Sequence, residues 1–86
     1  MQFRSITIKR LLYRSSHRGQ REMDLLLKQF NENHLTTLDD AELSSYADLL
    51  NESDGNIFNW LTKRQIFPEK FSPSLVSKFL NLQITR

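Results

Sequence analysis

Cysteine is absent from this chain of 86 residues, and with it go disulfides, thiolate metal sites and any thiol nucleophile. Glycine and proline occur only twice each. So few turn-formers favour helices over a sandwich of short strands, which needs a turn after every strand. The two glycines, Gly19 and Gly55, are also too few for a P-loop or a dinucleotide fingerprint, which need glycines at set offsets. No apolar run approaches the roughly 20 residues needed to cross a bilayer. Histidine is limited to His17 and His34, and neither has a partner at i, i+3 or i, i+4 with which to share a metal on a helix. The serines carry no nucleophile elbow, and Asp39-Asp40 is better explained by helix capping than as a carboxylate dyad. With the materials of catalysis missing, the expectation is a protein that is not an enzyme.

What is present is an ordinary globular composition, 38% hydrophobic and 26% charged. A chain of this length is expected to form one domain spanning residues 1–86, burying roughly 60% of its unfolded surface and leaving little core for a deep pocket. The net charge is only +2, but it is unevenly spread. Met1 to Arg21 holds six basic residues and no acid; Glu22 to Asp54 holds nine acids against Lys28 alone; Gly55 to Arg86 holds five bases against Glu69. Such a dipolar chain presents a basic and an acidic face, which steers partners more than it determines the fold.

Hydrophobic periodicity predicts about five helices and an all-α bundle. The first begins near Ser5 or Thr7, runs to about Ser16 and buries Ile8, Leu11 and Leu12. After a tight corner at Gly19, the second runs to about Asn33 with Met23, Leu26, Leu27 and Phe30 inward and an Asp24 to Lys28 pair outward. Thr37-Leu38-Asp39-Asp40 reads as a capping box with Thr37 as cap and Asp39 as competitor. The helix it opens carries Leu43, Tyr46, Ala47 and Leu50. Ser53 or Asp54 caps a short helix with Ile57, Trp60 and Leu61. A loop bearing Ile66, Phe67 and Phe71 folds back onto the bundle, and Ser72-Pro73 opens a last helix with Leu75, Val76, Phe79 and Leu80 on one side.

The stretch from Lys9 to Phe30 is the most specific. The run Lys9-Arg10-Leu11-Leu12-Tyr13-Arg14-Ser15, then Arg18-Gly19-x-x-Glu22, then Met23-Asp24-Leu25-Leu26-Leu27 resembles the flavinylation factors of succinate dehydrogenase, the SdhE family, whose signature is Arg-Gly-x-x-Glu at a helix junction. The resemblance is looser from Thr37 to Leu61, where Asn56 stands in place of an expected acid. It implies a small all-helical protein that binds the flavoprotein subunit of succinate dehydrogenase, and of fumarate reductase, and promotes covalent attachment of FAD to it. On that reading the chain holds no cofactor of its own and acts on the partner's FAD. It is a monomer when free, bacterial cytoplasmic or, in a eukaryote, in the mitochondrial matrix. The basic, acid-free start also looks like a transit peptide. The signature begins inside it, so the start is expected to belong to the mature protein.

The resemblance implies a partner-binding site of Arg18, Gly19 and Glu22, lined by Arg14, His17, Arg21 and Asp24. Arg18 would pair with an acidic or carbonyl group of the partner, Gly19 would let two backbones approach, and Glu22 would accept hydrogen bonds or orient Arg18. Taken alone, Arg18, Arg21 and Glu22 equally fit a solvated corner held by local salt bridges. Two other classes of function use the same residues: a general interaction or antitoxin-like regulatory module, and a nucleic-acid binder. The second is disfavoured because the basic helix is short and is followed by a strongly acidic one.

Overall fold

Five α-helices and one 3-10 turn follow one another in the computed structural model, which describes residues 3–82, and no strand occurs among the described residues. Helix α1 spans Phe3–Ser16, α2 Arg21–His34, the 3-10 turn Leu35–Thr37, α3 Asp40–Leu49, α4 Asp54–Leu61 and α5 Pro73–Leu80. The periodic segments therefore form the all-α bundle they predict. The first helix starts at Phe3, earlier than Ser5 or Thr7, so neither residue caps it.

The later caps explain where the chain turns. Ser53 accepts from the Asn56 N–H (3.2 Å) to open α4, and Ser72 accepts from the Leu75 N–H (3.4 Å) to open α5 with Pro73 in its first turn. For α3 the competing residue wins: Asp39, not Thr37, is the cap. Asp39 accepts from the Glu42 N–H (2.7 Å) and Glu42 accepts from the Asp39 N–H (2.9 Å), a reciprocal box that calls for Glu or Gln three residues after the cap, where Thr37 has only the shorter Asp40. The Thr37 hydroxyl instead donates to the His34 carbonyl (2.8 Å), closing the 3-10 turn.

Two aromatic groups fill the centre. Phe30, Tyr46 and Phe79 are fully enclosed, with Phe30 and Phe79 stacked at 3.9 Å and Tyr46 edge-on to Phe30 at 5.1 Å. Trp60 packs at 5.6 Å against both Phe67 and Phe71, and Phe67 reaches Phe79 at 6.2 Å, joining the α4–α5 loop to the core. Ile66, expected to fold inward with its neighbour, is 93% exposed. Only one of two adjacent side chains in this irregular segment faces the core, and the larger ring of Phe67 takes that place. Leu12 is likewise 47% exposed, because it lies a third of a turn away from buried Leu11. The buried edge of α1 is Leu11 and Ser15, flanked by half-buried Ile8.

Ser15 is buried because it completes a polar chain through the core. The Tyr46 hydroxyl donates to Asn31 Oδ1 (2.7 Å), Asn31 Nδ2 donates to Ser15 Oγ (2.8 Å), and Ser15 donates to the Leu12 carbonyl (3.1 Å). This ties α3 to α2 and α2 to α1, and burial pushes the Tyr46 phenol well above its ordinary range. A second tie joins α3 to α5. Lys78 Nζ lies 2.6 Å from Glu42 Oε2, and Lys78 together with the Asp39 N–H holds the Glu42 carboxyl at about 2. The Ser72 N–H donates to Ser45 Oγ (2.7 Å) on the same side.

Removing one member of the polar chain leaves its partners buried and unsatisfied. Asn31→Ala is expected to cost about 2–3 kcal/mol and Tyr46→Phe about 1 kcal/mol, measured by urea unfolding. For Glu42, the folded pKa lies below the unfolded value of 4.5, so its stabilising contribution is complete above pH 4.5 and is lost as pH falls towards about 2. Lys78→Met is expected to lower stability at neutral pH and to flatten that acid-side loss, so the two proteins converge near pH 2, as checked by denaturant unfolding across the window.

Candidate functional site

Three arginines of the α1 segment hold α3 at both ends. Arg4 donates to the Leu38 carbonyl and to the Thr36 carbonyl (3.3 Å), and lies 3.4 Å from Asp40 at the start of α3. At the other end Arg14 donates to Asn51 Oδ1 (2.7 Å). Arg18, just past α1, makes the largest set: Nη1 to the Leu50 carbonyl (2.9 Å), Nη2 to the Glu52 carbonyl (2.5 Å) and Nε to the Asp54 carboxylate. Helices α1 and α3 therefore run side by side in the same direction.

The acceptors explain why a guanidinium sits there. Leu50 ends α3, where carbonyls lack intrahelical partners and carry the negative end of the dipole. Asp54 opens α4, whose positive end favours a carboxylate. A planar fork with several donors satisfies both elements at once, which an ammonium does not. The side chains of Arg18 and Asp54 are each only 13% exposed. Glu52 is fixed as well, since Lys70 Nζ lies 3.2 Å from Oε2 and holds that carboxyl below its usual range.

Arg18 is thus spent inside its own chain: instead of an acidic or carbonyl group of a partner it takes the Asp54 carboxylate and two carbonyls of the α3–α4 turn. The Arg18 to Glu22 contact across the corner does not form, and no Asp24 to Lys28 ion pair occurs among the described residues. Arg14, too, is engaged. Asp24 is half-buried, with Oδ1 shielded from solvent.

The remaining residues stand outward around Gly19. Its φ is +90°, a value side chains rarely adopt, and an added Cβ would meet no atom within 4 Å. The backbone at this corner is therefore reachable from outside. Before it, the Tyr13 and His17 rings stack at 4.1 Å, and His17 Nδ1 lies 2.8 Å from the Tyr13 carbonyl. After it, Arg21 and Glu22 are exposed, and Glu22 makes no side-chain hydrogen bond or ion pair among the described residues. Two apolar side chains flank the corner: Tyr13, 64% exposed, and Leu25, 58% exposed. The exposure of Leu25 was legible in the periodicity. Leu25, Leu26 and Leu27 cannot all face inward on one helix, and Leu26 and Leu27 belong to the buried stripe.

No described helix is long and apolar enough to cross a membrane, and no described cluster of three or more His, Cys, Asp or Glu residues is arranged to hold a metal. The fold and the corner together define a small helical bundle with a braced, solvent-facing glycine turn. Residues 9–83 match the family described as the flavinator of succinate dehydrogenase, and the chain belongs to that family. Similar proteins are named succinate dehydrogenase assembly factor 2, mitochondrial. That of Mycosarcoma maydis is 42% identical over 71 residues, covering 83% of this chain and 30% of the relative. That of Meyerozyma guilliermondii is 40% identical over 74 residues, 83% of this chain and 55% of the relative. That of Arabidopsis thaliana is 34% identical over 80 residues, 93% of this chain and 43% of the relative. The chain thus spans about half or less of the length of these relatives. No solved structure matches it.

The clamp predicts a measurable coupling. Arg18→Met is expected to cost about 2–3 kcal/mol, since it strands a nearly buried carboxylate and two carbonyls. That corresponds to a fall of roughly 10 °C or more in Tm for a domain of this size. Asp54→Asn should cost less, and the double variant should show a coupling of at least about 1 kcal/mol in a double-mutant cycle; additive effects would mean the two side chains do not act together.

Proposed function

We propose that this chain is an assembly factor that binds the flavoprotein subunit of succinate dehydrogenase, and also that of fumarate reductase, and promotes covalent attachment of FAD. The observation that carries the reading is the Gly19 corner: a positive-φ glycine with open space at its Cβ position, held by Arg18 from within and flanked outside by Tyr13, His17, Arg21, Glu22 and Leu25. Family membership supports it.

The chain performs no chemistry in this scheme. It binds one conformation of the flavoprotein more tightly than another, the one in which the cofactor's reactive carbon and the acceptor side chain are aligned, and differential affinity alone shifts that equilibrium. Tyr13 and Leu25 supply apolar anchors, Glu22 accepts hydrogen bonds from the partner, and Gly19 admits the partner's backbone. Arg18 keeps the corner in shape, a positioning part rather than a contact. The free factor is monomeric and holds no cofactor. It works where its client folds, the cytoplasm of a bacterium or the matrix of a mitochondrion.

Deleting the gene should lower covalent flavin fluorescence in the denatured flavoprotein subunit, and the intact chain should restore it. Gly19→Ala and Gly19→Arg share the same backbone strain, about 1–3 kcal/mol. Only the arginine adds bulk at the approach, so it should fail to restore flavin while remaining helical by circular dichroism. Unchanged flavin in the deletion strain overturns the proposal.

A further inference from the structure

At the α4–α5 end, away from the Gly19 corner, Trp60, Phe67, Val76 and Leu80 line an apolar groove of about 240 Å³, with Ile66 and Lys63 at its edge. The volume is below the roughly 300–1,000 Å³ of pockets that enclose whole small ligands, and suits one or two side chains. Ile66, 93% exposed, is the most exposed large apolar residue among those described.

Lys63 places a cation in the lining of the groove, and Arg64 follows it in the chain. Lys63 and Arg64 are exposed and have no side-chain hydrogen bond or ion pair among the described residues, whereas nearby Lys70 and Lys78 are taken by Glu52 and Glu42. No acid lines the groove, and the sole acid after Gly55 is Glu69. Lys63 also sits where a glycine is usual. Its N–H donates to the Trp60 carbonyl (3.2 Å) and the Arg64 N–H to the Asn59 carbonyl (2.9 Å), the double bond pattern that closes a helix through a left-handed residue, and its φ is +65°. The chain keeps a cation there at a conformational cost a glycine would avoid.

We propose that this groove is a second docking site, which takes an acidic segment of a partner protein through one bulky apolar side chain. The apolar anchor fills the space between Trp60 and Leu80 beside Ile66, and flanking carboxylates meet Lys63 and Arg64. None of these residues belongs to the Gly19 corner, so the site stands or falls independently of the flavinylation reading.

Trp60 is the only tryptophan, so its emission reports the groove directly. A synthetic peptide with a central Leu-Phe pair between runs of glutamate should shift that emission saturably. The affinity should fall about tenfold or more in Ile66→Asp and in the Lys63→Glu, Arg64→Glu double variant, both altered only at exposed positions. Lys63→Gly should raise Tm while weakening the peptide, opposite signs that a purely structural lysine would not give. The proposal is overturned by no shift up to about 1 mM peptide, or by equal binding of a peptide with lysines in place of the glutamates. Self-association of the chain that Ile66→Asp dissolves would also overturn it, because a second copy would then be the occupant.

Discussion

A single guanidinium, that of Arg18, bridges the end of α3 and the beginning of α4. It gathers the Leu50 and Glu52 carbonyls and the Asp54 carboxylate, so the turn between α3 and α4 and the corner between α1 and α2 form one rigid piece. Breaking such a nearly buried pair is costly because each group left behind has already lost its water. Gly19, Arg21 and Glu22 stand outward against this brace.

The uneven charge along the chain has a corresponding structural use. The basic first segment lies beside the acid-rich middle: Arg4 reaches Asp40 and the carbonyls before α3, Arg14 and Arg18 reach the acceptors beyond it, and Lys78 from the basic last third reaches Glu42. Much of the apparent dipole is thereby consumed within the fold. Among the described residues Lys9, Arg10, Arg21, Lys28, Lys63 and Arg64 remain exposed without a side-chain partner, and those of the first two helices are too mixed with Glu22 and Leu25 to form the uniform cationic stripe of a nucleic-acid binder. The interior is an aromatic cluster with one hydrogen-bonded polar chain through it.

Several readings of individual residues changed for reasons particular to their neighbours. Thr37 and Asp39 both resemble caps in isolation, but only Asp39 has an acid three residues on whose side chain returns to its N–H. Arg18 beside Glu22 looked like a local pair, yet the acceptors it takes are more than thirty residues further along the chain and include two backbone carbonyls that no side-chain pattern encodes. Ile66 and Phe67 are both apolar, yet the Phe67 ring packs against Trp60 and Phe79 while the adjacent Ile66 is left facing solvent.

Periodicity and composition were enough by themselves to determine five helices, most of their buried positions and the glycine corner, because each depends on spacing within a few residues. The Arg-Gly-x-x-Glu signature likewise pointed to the family whose description residues 9–83 match. Tertiary structure alone decided that Arg18 faces inward while Glu22 faces out, that Ser15 and Asn31 share a buried chain with Tyr46, and that Ile66 and Lys63 edge an apolar groove. Those outcomes depend on which distant acceptor or ring arrives first at a given side chain, and that is a property of packing among helices rather than of any one of them.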